Sequence, residues 1–396
     1  MRRALRILAL SLLVACSREG GQVAMGPGSE TSGVSARVVD QNGAAVAGVS
    51  VRMVALDGAW QSRVASASGS VLDRKTTDAQ GWVRFGNVSD ARVALELEDS
   101  VRTARGEIDL SQGRTAELRM ADGGSQRLSA HVSGETVQEV VLAGTAYAAR
   151  QAVDGAWVFQ GLPEGDFAVV AMTDSGMALL GRVALAAGGA LDTVLGADVD
   201  SVLLEDFAFD PVRNRYGWLL GAGWWYTTTD LIYGDSSTVT PDDPARMRIS
   251  CPYGNCIAAT FKMDPESDER FAVVGMDVDH PWNEEAPASS VADLSAVEAI
   301  RFPVSGQGNI QFQIHFRDPD GTSSTCRQSL VLASTWKVQE VPLASMKCDA
   351  AVVAGRRAVG MTWLATEDAQ LNLGPVTLAG AGPRQVFAKL RKGGVP

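Results

Sequence analysis

The chain has 396 residues, 46% of them hydrophobic and 20% charged, with 41 glycines and a formal net charge of −11. That length exceeds one compact core and points to two or three domains. The acidic balance disfavours nucleic acid and anionic lipid as partners, and no apolar run reaches the ~20 residues that span a bilayer.

Arg2, Arg3 and Arg6 precede an apolar run from Ile7 to Val14, and the small Ala15 precedes Cys16. A basic start, a short apolar stretch and a small residue before the boundary make a secretory signal with a cleavage site. Leu13-Val14-Ala15-Cys16 resembles the bacterial lipoprotein signal. The resemblance implies that residues 1–15 are removed, that the Cys16 thiol is acylated, and that a lipid anchor holds the chain at the membrane. Removing three arginines would leave the mature chain near −14 (−11 − 3). Ser17, rather than aspartate, favours the outer membrane or cell surface by resemblance to the enterobacterial sorting rule. An ordinary signal peptide with an incidental cysteine is the alternative.

Residues 16–33 are polar, glycine-rich and aperiodic, and read as a flexible tether. From Val34 short alternating runs are broken by turn formers, the pattern of a β-sandwich. The stretches VVDQNGAAVAGVSV and TTDAQGWVRF resemble the carboxypeptidase regulatory-like, or prealbumin-like, domain, which implies a seven-strand sandwich over 34–120. A second, divergent copy is expected at 124–197, where Asp154-Gly155-Ala156-Trp157-Val158-Phe159 and Gly161-Leu162-Pro163-Glu164-Gly165 repeat the pattern. Both are read as spacers, with two ligand-binding modules as the alternative.

Composition shifts near residue 200: six of nine tryptophans, four of five tyrosines and four of five cysteines lie beyond it. Strands are expected at 257–263, 271–278, 299–304, 309–317, 328–332, 336–343, 358–364 and 371–378. So many strands between polar turns indicate a two-sheet jelly roll. The expected class is therefore all-β, two sandwiches followed by a β-jelly roll over 202–380 and a C-terminal tail over 381–396.

Cys251, Cys256, Cys326 and Cys348 form an even set in an exported chain, which permits three disulfide pairings. Proximity favours Cys251–Cys256, and Cys326–Cys348 across a hairpin turning near 333–335. Zinc is the rival, but His131, His280 and His315 lie in no ligand spacing with these cysteines.

Leu203-Leu204-Glu205-Asp206-Phe207, Gly223-Trp224-Trp225-Tyr226-Thr227 and Asp293-Leu294-Ser295 leading into Ile300-Arg301-Phe302 resemble a jelly-roll carbohydrate-binding module of family 11. The resemblance implies a concave face that binds polysaccharide, typically β-glucan. It also implies a structural calcium at Glu205 and Asp206, although Gly374 stands where that family has aspartate. No other cofactor is expected.

Sugar rings present flat C–H faces to aromatic side chains, while polar groups fix the hydroxyls. In residues 309–317 strict alternation sets Ile310, Phe312, Ile314 and Phe316 on one face and Gln311, Gln313, His315 and Arg317 on the other. Arg301 alternates outward in the same way. Trp224 and Trp225 are adjacent, so one enters the core and the other, or Tyr226, is free for a ligand. We assign Trp225 and Tyr226 as candidate platforms, with Trp282 from a turn-rich loop. Trp363 reads as core and Trp336 as ambiguous. No Gly-x-Ser-x-Gly elbow, His-Glu-x-x-His pair or phosphate loop is present, so a non-enzyme is expected. The alternative function is a structural or assembly lipoprotein whose jelly roll contacts envelope proteins rather than sugar.

Overall fold

The structure is a computed structural model describing residues 33–56, 70–197, 200–207, 212–220, 223–268, 270–278, 292–317, 323–348, 357–387 and 390. It is built almost entirely of β-strands. Cys16, the tether to residue 32 and Trp282 lie outside the described residues.

The first sandwich places Val34–Val39 between Trp82–Phe85, antiparallel, and Thr115–Arg119, parallel. A second sheet runs Val71–Thr76, Ser50–Ala55, Arg92–Leu97, Arg105–Asp109. Alternate residues Ala36, Val38, Val51, Met53, Val83, Phe85, Val93 and Leu95 fill the space between them. The second sandwich repeats this plan. Gly124–Val132 lies antiparallel to Trp157–Leu162 and parallel to Ala190–Ala197, opposite a sheet of Val137–Leu142, Gly165–Thr173 and Gly176–Leu185. The shared tryptophan-led strand is the signal that the sequence repeats.

The C-terminal domain is two large sheets packed face to face. One runs Ser201–Glu205, Val376–Ala379, Ala299–Gln307, Ala369–Leu373, Gly254–Lys262, Thr238–Thr240, with Lys337–Pro342 and Arg248–Cys251 also attached. The other runs Trp225–Thr229, Ala272–Asp277, Arg357–Ala365, Asn309–Arg317, Ser323–Val331, Lys347–Cys348. Between them lie Phe302, Phe312 and Trp363, with ring centroids 5.1–5.6 Å apart. Trp363 is wholly buried.

Both disulfides are present, Cys251–Cys256 and Cys326–Cys348. The hairpin expected beneath the second is not. Ser323–Val331 and Lys337–Pro342 belong to different sheets, and the short link between them crosses the sandwich edge. The chain then returns through Leu343–Ser345 to Lys347–Cys348, which pairs with Ser323–Val331 so that Cys326 and Cys348 face each other directly.

The three sandwiches are fused rather than strung apart. One apolar cluster includes Val54 and Ala94 of the first, Val141, Val170 and Leu179 of the second, and the jelly-roll core. At the junction of the first two, buried Glu96 accepts from Arg52 Nε at 3.0 Å, Arg105 Nε at 3.4 Å and the Ala146 backbone at 3.2 Å. The C-terminal segment, expected as a tail, contains a short helix at Pro383–Val386. Val386, Phe387 and Leu390 are fully buried, and Arg384 pairs with Glu135 of the second sandwich. Among the described residues no helix is long and apolar enough to cross a membrane.

Candidate functional site

The outer face of the sheet containing Asn309–Arg317 collects the polar residues. Because side chains alternate across each strand, register assigns this face without ambiguity. One row reads Thr228, Val273, Leu364, Gln311, Ser329; the next reads Tyr226, Gly275, Thr362, Gln313, Arg327, Lys347. A third carries Asp277, Gly360, His315 and Thr325, and Arg317 opposite Ser323 lies beyond it. Four sequence candidates, Gln311, Gln313, His315 and Arg317, thus share a face with Tyr226, on which Gln313, Thr362 and Asp277 are buried and Gln311, His315, Arg317 and Tyr226 half-buried.

A hydrogen-bonded chain links these groups. Gln313 Nε2 donates to Gln311 Oε1 at 2.5 Å, and Thr362 Oγ1 lies 3.5 Å from Gln313 Oε1 and 3.0 Å from His315 Nε2. His315 Nδ1 lies 3.3 Å from Thr325 Oγ1. If Thr362 donates to Gln313, it accepts from His315 Nε2–H, and Nδ1 accepts from the Thr325 hydroxyl. That network assigns the Nε2–H tautomer. Burial, and then the neighbouring Arg327, push the imidazole down to about 4, so His315 is neutral at physiological pH.

Tyr226 lies flat across a glycine floor. A Cβ built on Gly275 would stand 2.4 Å from the Tyr226 ring, and one on Gly360 would lie 4.0 Å from its hydroxyl. Only glycine at 275 lets the ring lie down. Burial and the Asp277 carboxylate hold its hydroxyl above its usual range, so it stays a hydrogen-bonding phenol.

Trp224 is the residue sequence reasoning missed. Its carbonyl accepts from Asp277 N at 2.8 Å, which places it opposite Asp277 and outward, like Tyr226. It is 37% exposed, and the Arg213 guanidinium covers one ring face at 4.0 Å. Buried Asn214 fixes this corner: its Nδ2 donates to the carbonyls of Asp277 at 3.1 Å and Val278 at 3.0 Å, and its N donates to Gly223 O at 2.7 Å. Asp277, Thr362, Thr325 and Arg327 join the face only through register.

Three expectations are corrected. Trp225 is 6% exposed, stacks on Trp363 at 5.8 Å and donates Nε1 to Glu205 Oε2 at 2.7 Å, so it cannot meet a ligand. Adjacent strand residues take opposite faces, and Tyr226 outward sends Trp225 in. Arg301 lies on the other sheet, where it ion-pairs with Glu340 at 2.7 Å.

The third concerns Glu205 and Asp206, which do not fit calcium. Both Glu205 oxygens are occupied, Oε1 by the Asp206 and Phe207 amides at 2.8 and 2.6 Å and Oε2 by Trp225. Asp206 pairs with Arg215. Among the described residues no group of three His, Cys, Asp or Glu side chains is arranged to hold a metal ion. Burial pushes Glu205 up to about 7.

No protein-family model and no curated protein matches this chain. Among solved structures, it is similar to the family 11 carbohydrate-binding module from Clostridium thermocellum in complex with a β-1,3-1,4-mixed-linked tetrasaccharide. That likeness has 14% identity and a TM-score of 0.34, over 46% of this chain and 97% of that one. A family 30 module of a Clostridium thermocellum cellulosomal cellulase gives 11% identity and 0.29, over 45% and 97%. The shaft pilin SpaA of Lactobacillus rhamnosus GG gives 8% and 0.18, over 42% and 97%. Each likeness spans less than half of this chain.

Proposed function

We propose that the protein is a lipid-anchored, noncatalytic polysaccharide-binding protein of the bacterial cell envelope, with Cys16 acylated and the jelly roll holding a neutral β-glucan-type chain. The observation that carries the reading is the outer sheet face, where Trp224 and Tyr226 stand beside the Gln311–Gln313–Thr362–His315–Thr325 row. Rings offer dispersion contact to sugar C–H faces, and amide and hydroxyl groups exchange hydrogen bonds with sugar hydroxyls. Neutral His315 uses both ring nitrogens on the Thr362 and Thr325 hydroxyls, so it orients the row rather than meeting the sugar itself.

Each such hydrogen bond nets only ~1 kcal/mol against water, and stacking adds a comparable amount. Affinity is therefore micromolar or weaker. Gel retardation of the full chain carrying Cys16→Ser in β-glucan, xylan and mannan tests sugar binding. Retention in β-glucan supports the reading, and equal mobility in every gel ends it. Membrane fractionation of the same variant tests the anchor, because a diacyl or triacyl group gives stable attachment and its loss releases the chain.

A further inference from the structure

Where Trp225–Thr229 ends, the chain makes a 3-10 turn, Asp230–Tyr233, and presents three consecutive large apolar residues to solvent. Leu231 is 68%, Ile232 67% and Tyr233 74% exposed. Together they offer on the order of a few hundred Å² of apolar surface, a size at which patches on a monomer become functional.

The turn is rigidly held. Asp230 is fully buried, and its carboxylate accepts from Ser237 N at 3.0 Å, Ser237 Oγ at 2.5 Å and Phe271 N at 3.3 Å. Thr229 Oγ1 accepts from Leu231 N at 3.3 Å, and Gly234, at φ 101°, closes the turn onto Leu231 O at 3.0 Å. A fixed apolar tip loses little conformational freedom when something binds it.

Its position shows what that would be. Tyr233 meets the Phe271 ring edge-on at 6.2 Å. Phe271 precedes the core residue Ala272, so it faces outward with Val273, Gly275 and Asp277, on the face already described. Trp224 lies opposite Asp277, six residues from Phe271 (277 − 271). Trp224, Tyr226 and Tyr233 therefore follow one sheet edge for roughly 20 Å at ~3.3 Å per residue.

Resting on the polysaccharide reading above, we propose that the Leu231–Tyr233 turn is a distal apolar subsite for the same sugar chain. The protein then grips an extended polysaccharide and discriminates against short oligosaccharides. Occupancy by one continuous ligand follows from the turn's continuity with the Trp224–Tyr226 edge.

Titration calorimetry tests this on the full chain carrying Cys16→Ser, with mixed-linkage β-glucan oligosaccharides from trisaccharide to octasaccharide and with the polymer. Tyr233→Ala and the double variant Leu231→Ser, Ile232→Ser are compared with the parent. The parent should bind more tightly as the ligand lengthens. Both variants should match it on the shortest ligand bound and fall about fivefold behind on the longest. Equal loss at every length, or none at any, overturns the subsite and leaves the main face standing. No binding by the parent removes the underlying reading instead. Loss of binding to phosphatidylcholine vesicles, with polysaccharide affinity unchanged, assigns the turn to a membrane and also overturns the subsite.

Discussion

The Trp225 indole nitrogen donates a 2.7 Å hydrogen bond to the buried carboxylate of Glu205. That bond fixes the first strand of one jelly-roll sheet to the first strand of the other. It withdraws both groups from the surface and leaves the neighbouring Trp224 and Tyr226 as the outward rings.

Trp224→Ala and Trp225→Ala should therefore differ in kind. Removing the partly exposed Trp224 should weaken glycan binding severalfold and leave the urea midpoint nearly unchanged. Removing Trp225 opens the core and should cost about 3–5 kcal/mol of stability. Binding and unfolding measured on both variants separate the two roles. Lost affinity with full stability in Trp225→Ala would reverse the assignment.

Two buried titrating groups should nearly cancel in the pH profile of stability. Glu205, pushed up to about 7 mainly by burial, contributes stability that is complete below its ordinary 4.5 and is lost as pH rises through about 7. His315, pushed down to about 4 by burial and then Arg327, contributes stability that is complete above its ordinary 6.5 and is lost as pH falls through about 4. Each shift corresponds to roughly 3 kcal/mol, with the His315 effect reduced by its partial solvent contact. Across the overlapping window the wild type should be nearly flat. Glu205→Gln should become more stable as pH rises, and His315→Gln less stable. Parallel profiles for all three proteins would contradict the account.

Gly275→Ala should weaken glycan binding without removing any ligand-facing group. Its methyl must displace the Tyr226 ring, 2.4 Å from the built Cβ, while the backbone at 275 has no positive φ to strain. The double variant with Tyr226→Ala should bind no more weakly than Tyr226→Ala alone, because the displaced ring is already gone. Additive losses would show that Gly275 acts elsewhere.

Arg52→Met should destabilise the junction of the first two sandwiches by about 3–5 kcal/mol, because it removes one cation from wholly buried Glu96. Replacing Glu96 by Gln in the same protein should restore part of the loss. Calorimetric unfolding checks both, and an unchanged transition in Arg52→Met would show that Arg105 alone suffices.

Much of this architecture is visible in local pattern. Alternation in residues 309–317 assigns Gln311, Gln313, His315 and Arg317 to one surface, since period two needs no knowledge of neighbours. The same rule settles Trp224 against Trp225 once Tyr226 is placed outward. Long-range choices are not written locally. Whether Lys337–Pro342 pairs with Ser323–Val331 or crosses to Ala299–Gln307 depends on which sheet edge is open. Arg301 ends on the opposite sheet because Ala299–Gln307 pairs with Ala369–Leu373 and Val376–Ala379 there. The partners of Glu205 are equally non-local, because Trp225 reaches it from twenty residues away (225 − 205). Asp277, Thr325 and Thr362 are unremarkable alone and become a site only through register.

Hydrogen–deuterium exchange of the full chain carrying Cys16→Ser, with and without mixed-linkage β-glucan, tests the central claim most directly. Glycan should slow exchange in 224–229, 309–317 and 357–365, the strands that carry the outer polar face. Protection confined to 299–307 and 337–342 on the opposite sheet, or none anywhere at saturating polysaccharide, would contradict it.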